Sequence, residues 1–112
     1  MGLRQERLAE EIRDLLASCF LGGKMADPRL EEVTITAVKL SADLQLAYVY
    51  YRVYGDGDDL QERAQKGLES AAGYLKKKLS KELEVRRVPE LKFFFDKSIE
   101  HASNIEQLLK KL

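Results

Sequence analysis

Leu60, Ala64, Leu68, Ala71, Leu75, Leu79 and Leu83 recur at mostly four-residue spacing, and this apolar stripe lies between two segments patterned as β-strands. A helix of that length between strands returns the chain across a sheet. If the flanking strands share one sheet, the crossover is right-handed and leaves them parallel. Asp58, with Gln61 three residues on, fits a capping box at the start of the helix. Ala71-Ala72-Gly73 interrupts the segment, and glycine costs about 1 kcal/mol relative to alanine in a helix interior. Because the stripe stays in phase, the sequence predicts a kink or a close approach there, with a second half-helix running to Leu83. Small residues that let the helix pass near the sheet are the simpler explanation. The functional one is a bend that presents free amides and a basic half-helix to phosphate.

The remaining elements follow from periodicity. Leu8, Ile12, Leu15, Leu16, Cys19 and Phe20 place one apolar stripe on a helix from about Leu3 to Leu21, which Gly22-Gly23 stops. Asp27-Pro28-Arg29 reads as a loop. In Val33 to Leu40 the apolar phase slips between Ala37 and Val38, the mark of a bulge or bend. Ala47, Val49, Tyr51 and Val53 alternate with Tyr48, Tyr50, Arg52 and Tyr54, so a hairpin is expected. A last strand lies within Val85 to Asp96, its regular pairing confined to the part after Pro89 or to an edge. Ser98 caps a final helix with a stripe of Ile99, Ala102, Ile105, Leu109 and Leu112. The sum is an α+β domain spanning 1–112: a three-stranded sheet with helices on one face and a second face only partly apolar.

Charge is polarised although the total is zero. Residues 73–92 hold Lys76, Lys77, Lys78, Lys81, Arg86, Arg87 and Lys92 against Glu82, Glu84 and Glu90, a local surplus of +4. Such asymmetry points to a polyanionic partner, with nucleic acid first. Leu75 and Leu79 face the core, so Lys76, Lys77, Lys78 and Lys81 spread over the exposed side, with Arg86 and Arg87 beyond the helix end. The bland alternative is a solvated helix face whose lysines complement the macrodipole. Arg29 and Arg52 are secondary candidates for the same contact. Tyr48, Tyr50, Tyr54 and Phe94 are stacking platforms on one reading. Packing under a neighbouring helix, such as the last one, is the favoured reading.

Catalysis and cofactors find no support. His101 is the only histidine and has no partner at ligand spacing, and Cys19 belongs to an apolar stripe. Asp56, Asp58 and Asp59 lack the full ligand series of a calcium loop and read as turn and cap. No glycine fingerprint for nucleotides follows a strand. No run approaches the roughly 20 apolar residues of a membrane span, and the N-terminus lacks a secretory h-region. Glu6 disqualifies Met1-Gly2 as a myristoylation signal. With one cysteine, a reducing cytoplasmic setting is expected.

The chain resembles the ribosome-binding factor A family of bacterial ribosome assembly factors. The matching stretches are Asp27-Pro28-Arg29-Leu30, Val33-Thr34-Ile35-Thr36 with Val38, Ser41, Asp43-Leu44, Ala47 and Val49-Tyr50. They continue through Ser70-Ala71-Ala72-Gly73-Tyr74-Leu75, Pro89-Glu90-Leu91, Phe93 to Asp96, Ser98-Ile99, Ile105-Glu106 and Leu108-Leu109. The resemblance implies a type II KH-like domain whose Gly-x-x-Gly loop is replaced by an Ala-x-Gly kink, here Ala71-Ala72-Gly73. It also implies small-subunit ribosomal RNA as the ligand, near the decoding-region helices, in late maturation and growth in the cold. The charged tail that several relatives carry beyond the final helix has no counterpart before Leu112. The expected RNA contacts are Ser70, Ala71, Gly73, Lys76, Lys77, Lys78, Lys81, Arg86, Arg87, Lys92 and Arg29. The expected protein is a non-enzymatic factor without cofactor or small-molecule substrate, a monomer when free, whose partner is the small ribosomal subunit and its rRNA. The competing reading is a small protein-interaction or ligand-sensing module whose basic helix docks on an acidic protein.

Overall fold

The computed structural model describes residues 3–21, 25–55, 57 and 59–97. The expected Gly22-Gly23 stop, the cap at Asp58, the turn residue Asp56, the final helix after Ser98 and His101 lie outside the described residues.

Helix α1 (Leu3–Phe20) buries Ala9, Ile12, Leu16 and Phe20, the stripe read from the sequence. A single 3-10 turn, Pro28–Leu30, follows where a loop was expected. Asp27 caps that turn by accepting the Arg29 backbone N–H at 2.9 Å, and proline at its first position fits the geometry. The turn places Leu30, 1% exposed, in the core.

Strands β1 (Val33–Leu40) and β2 (Leu46–Val53) pair antiparallel, with a register shift between Ile35 and Ala37, so the expected bulge falls at Thr36, ahead of the slip read between Ala37 and Val38, and Ala37 is half-buried where an inward position was expected. The extra residue, Thr36, sends its hydroxyl to the Asp96 carboxylate at 2.6 Å. The connection is locked by Asp43, whose Oδ1 accepts from the Ser41 hydroxyl and the Gln45 N–H at 2.6 and 3.0 Å.

Helix α2 (Leu60–Glu82) is one helix of 23 residues, and Ala71-Ala72-Gly73 does not break it into two. Its N-cap position is taken by Asp59, with no side-chain cap bond. After the helix the chain bends at Arg86 and Arg87, anchored by buried Val88 and Pro89, and enters β3 (Glu90–Phe95). β3 runs parallel to β2, as the crossover requires, and the sheet order is β1-β2-β3.

Both helices contribute to a single core against Val33, Ile35, Val38, Leu40, Ala47, Val49, Tyr51, Leu91 and Phe93. Leu68, Leu75 and Leu79 of α2 are essentially fully buried, each stabilising by roughly 2 kcal/mol. Tyr51 is also fully buried and donates its hydroxyl to Gln65 Oε1 at 2.6 Å. Gln65 Nε2 in turn donates to the Phe93 carbonyl at 3.1 Å, so one amide ties α2 to both β2 and β3. Burial and the Glu69 carboxylate push the Tyr51 phenol above its ordinary pKa.

Candidate nucleic-acid interface

Gly73, Lys76, Lys77 and Ser80 are spaced three and four residues apart, so they form one stripe along α2. The stripe turns away from the buried Leu68, Leu75 and Leu79. Across from it the bend after α2 brings Val85, Arg86 and Val88. Together they line a groove of about 460 Å³. Leu83, Val88 and Pro89 sink into the core and hold the returning chain against the helix, which is what sets Arg86 opposite Lys77.

The cations of this groove differ in what they already hold. Lys76 Nζ pairs with the Glu90 carboxylate at the start of β3. Lys77 and Arg86 have no carboxylate partner among the described residues. Ser80 donates its hydroxyl to the Lys77 carbonyl at 2.7 Å, leaving its oxygen free to accept. Nothing lies within 4 Å of where a Gly73 Cβ would be. A ligand can therefore approach the helix backbone at that point more closely than at any side chain.

The other expected contacts divide. Lys81 and Arg87 are exposed on the same half of the molecule but do not line the groove. Lys78 leans to the opposite flank of α2, its Nζ 5.8 Å from the Tyr74 ring, beside a hollow lined by Leu15, Cys19 and Met25. Ser70 and Ala71 border a separate hollow with Met25, Asp27 and Tyr74. Lys92 is exposed on the outer face of the sheet, alongside Phe94. Arg29 lies against Gly67, nine residues and roughly 13 Å along the helix from Lys76. Its guanidinium binds Asp27 through Nε and Nη2, with bonds of 2.7 to 3.1 Å. Those bonds hold the Asp27 carboxyl below its ordinary pKa. Arg29 is thus held in an ion pair away from the groove, with its Nη1 not among the atoms that bond Asp27.

Two expectations about the helix interruption change with the structure. Since α2 is continuous, residues 71–73 offer no N-terminal set of free amides, and the positive charge at this face comes from side chains. Gly73 is also not a close-approach glycine. That role belongs to Gly67, where an added Cβ would sit 3.0 Å from Leu30 Cδ2 and 3.1 Å from Arg29 Cβ. Ser80 is a lining residue that charge counting missed, and the pairing of Glu90 with Lys76 is a contact that counting its charge did not reveal. Helical spacing from Lys76 and Lys77 finds Ser80, whereas Glu90 required knowing that β3 starts beside the helix.

Among the described residues no cluster of three or more His, Cys, Asp and Glu is placed to hold a metal, and no helix is long and apolar enough to cross a membrane. Cys19 is half-buried and packs against the core. The class is that of a small α+β domain whose order of elements agrees with a type II KH-like arrangement and whose polar feature is a basic groove. The comparisons are specific. The chain belongs to the ribosome-binding factor A family, whose family model matches residues 4–109. It is 41% identical over 109 residues to ribosome-binding factor A of Leuconostoc citreum, covering 97% of this chain and 92% of that one. The Geobacter sulfurreducens protein of the same name is also 41% identical, with 97% and 91% covered. The crystal structure of ribosome-binding factor A from Thermus thermophilus superposes with a TM-score of 0.74 at 28% identity, covering 84% of this chain and 97% of that one. A homology model of a Thermus thermophilus factor, fitted into a cryo-EM map of its complex with the 30S subunit, gives 0.63 at 27% identity, with 80% and 91% covered.

Proposed function

We propose that this chain is a non-enzymatic assembly factor that binds the small ribosomal subunit through its rRNA and assists late rRNA processing and maturation in the cytoplasm. The observation that carries the reading is the groove in which Lys77 and Arg86 converge, with no carboxylate partner among the described residues, beside an open Gly73. Phosphate is the ligand such a groove fits: the cations supply charge and the missing side chain admits the backbone, while the Ser80 oxygen is placed to accept from a neighbouring ribose 2′-hydroxyl. A relative fitted into a 30S complex supports the choice of subunit. Contacts to phosphate position the protein, and the shape of the folded rRNA supplies the specificity that a short charge cluster lacks. Bound in this way, as a monomer, the factor holds an immature rRNA arrangement and shields it from premature subunit joining.

The test is co-sedimentation at low salt with isolated small and large subunits. The wild-type chain is expected with small subunits alone. The Lys77→Glu/Arg86→Glu variant is expected to bind at least about tenfold more weakly, with thermal stability changed by no more than about 0.5 kcal/mol, because both positions are exposed. Absence of the wild-type chain from the small-subunit pellet refutes the reading. Undiminished binding by the variant moves the contact away from the groove.

A further inference from the structure

The sheet face opposite the helices carries three aromatic rings that the basic groove does not use. On β2, Tyr48 and Tyr50 point to this face; on β3, Phe94 stands directly opposite Tyr50 in register. The Phe94 ring centroid lies 5.9 Å from each tyrosine ring, at interplanar angles of 47° and 34°, so the three rings form one continuous cluster. Phe94 is 43% exposed and both tyrosines are half-buried, and no helix among the described residues covers them. Cations surround the rings. Lys39 Nζ lies 5.7 Å from the centre of Tyr50, and Lys92 is the cross-strand neighbour of Tyr48. Arg52, next in phase after Tyr50, donates to the Asp96 carbonyl at 2.7 Å. The acids on this face are engaged: Glu90 with Lys76, and Asp96 with Thr36.

We infer that Tyr48, Tyr50 and Phe94 form a second RNA contact, on which unpaired bases of the rRNA stack while Lys39 and Lys92 hold the adjoining phosphates. The inference rests on the function proposed above and adds to it a site and a ligand class. Exposed rings bordered by positive charge suit a ligand that is aromatic and anionic at once, which is the chemistry of a nucleotide. An apolar protein segment would gain from the rings but leave the lysines unanswered. The position is also continuous with the groove. Glu90, which pairs with Lys76 in the groove, precedes Phe94 by four residues on β3, about 13 Å along the strand. One RNA strand can meet both.

The test is ultraviolet crosslinking of the wild-type chain bound to small subunits, with adducts mapped by mass spectrometry. Nucleotide adducts are expected on Tyr48, Tyr50 or Phe94. A Tyr48→Leu/Phe94→Leu variant, which keeps apolar bulk on the strand, is expected to bind at least about fivefold more weakly, given what stacking contributes per base. Tyr48→Phe is expected to bind as wild type. Adducts confined to α2, with undiminished binding by the leucine variant, overturn the stacking site and leave the proposed function standing. If the rings yield no adducts and their NMR signals shift on removal of residues 98–112, the occupant is this chain's own C-terminal segment and the inference fails. A wild-type chain that does not bind subunits at all removes both proposals.

Discussion

The carboxylate of Asp27 accepts four hydrogen bonds from Arg29, one from its backbone N–H and three from its guanidinium. The first caps the 3-10 turn that delivers Leu30 to the core, and the others immobilise an arginine against Gly67 of α2. Both sets favour the ionised carboxylate, which is why its pKa lies below the ordinary 3.8. The folded state therefore binds this proton less tightly than the unfolded chain does. The pair's contribution to stability is present above pH 3.8 and is lost as pH falls through the depressed folded value. Asp27→Asn is expected to lower stability at neutral pH and to flatten the acid limb of the stability curve in that window. Thermal melts stepped from neutral pH down to roughly pH 2 read both effects. Parallel acid limbs for variant and wild type would show that the pair adds nothing to folding.

The two glycines of α2 separate packing from access. At Gly73 an alanine meets no neighbour within 4 Å, so Gly73→Ala should gain the helix-propensity difference, about 1 kcal/mol, and raise the melting temperature. At Gly67 the same change presses on buried Leu30 and on the Cβ of an arginine pinned by Asp27, so crowding of about 1–3 kcal/mol should outweigh that gain and lower it. Differential scanning calorimetry of the two variants checks the opposite signs. If RNA approaches the helix at Gly73, the stabilised variant also binds small subunits more weakly. The two described helices and the three strands were legible in the sequence because period reports burial. The four-residue stripe of α2, the alternation of β2 and a bulge in β1, at Thr36 and not after Ala37, all reappear in the structure. The roles of the glycines were not legible, since periodicity locates a residue on a helix but says nothing of what stands opposite. The same gap affected the site. Charge counting found Lys77 and Arg86, yet only the anchoring of Val88 and Pro89 determines that Arg86 returns to face Lys77, whereas Lys78 is directed to the other flank.

A net charge of zero means that the molecule as a whole does not attract a polyanion over long distances, so binding must draw on the local surplus of +4 in residues 73–92. At physiological ionic strength charges act over about 8 Å, and only cations brought against phosphates will count. Of the surplus, Lys76 is held by Glu90, Lys78 leans toward Tyr74 and Lys92 lies on the sheet, leaving Lys77, Lys81, Arg86 and Arg87 at the helix and bend, exposed and unpaired among the described residues. Four phosphate contacts correspond to a slope of about −3 in log K against log salt. Lys77→Glu/Arg86→Glu removes two of the four and should bring the slope to about −1.5. Equilibrium binding to small subunits across a salt series measures both. A wild-type slope near zero would mean that shape and stacking carry the affinity without the cations. A slope unchanged in the variant would mean that other cations, not the pair in the groove, meet the phosphates. The expected pair of slopes assigns the salt-dependent part of the affinity to the helix and the returning bend, and leaves the salt-independent part to shape and stacking.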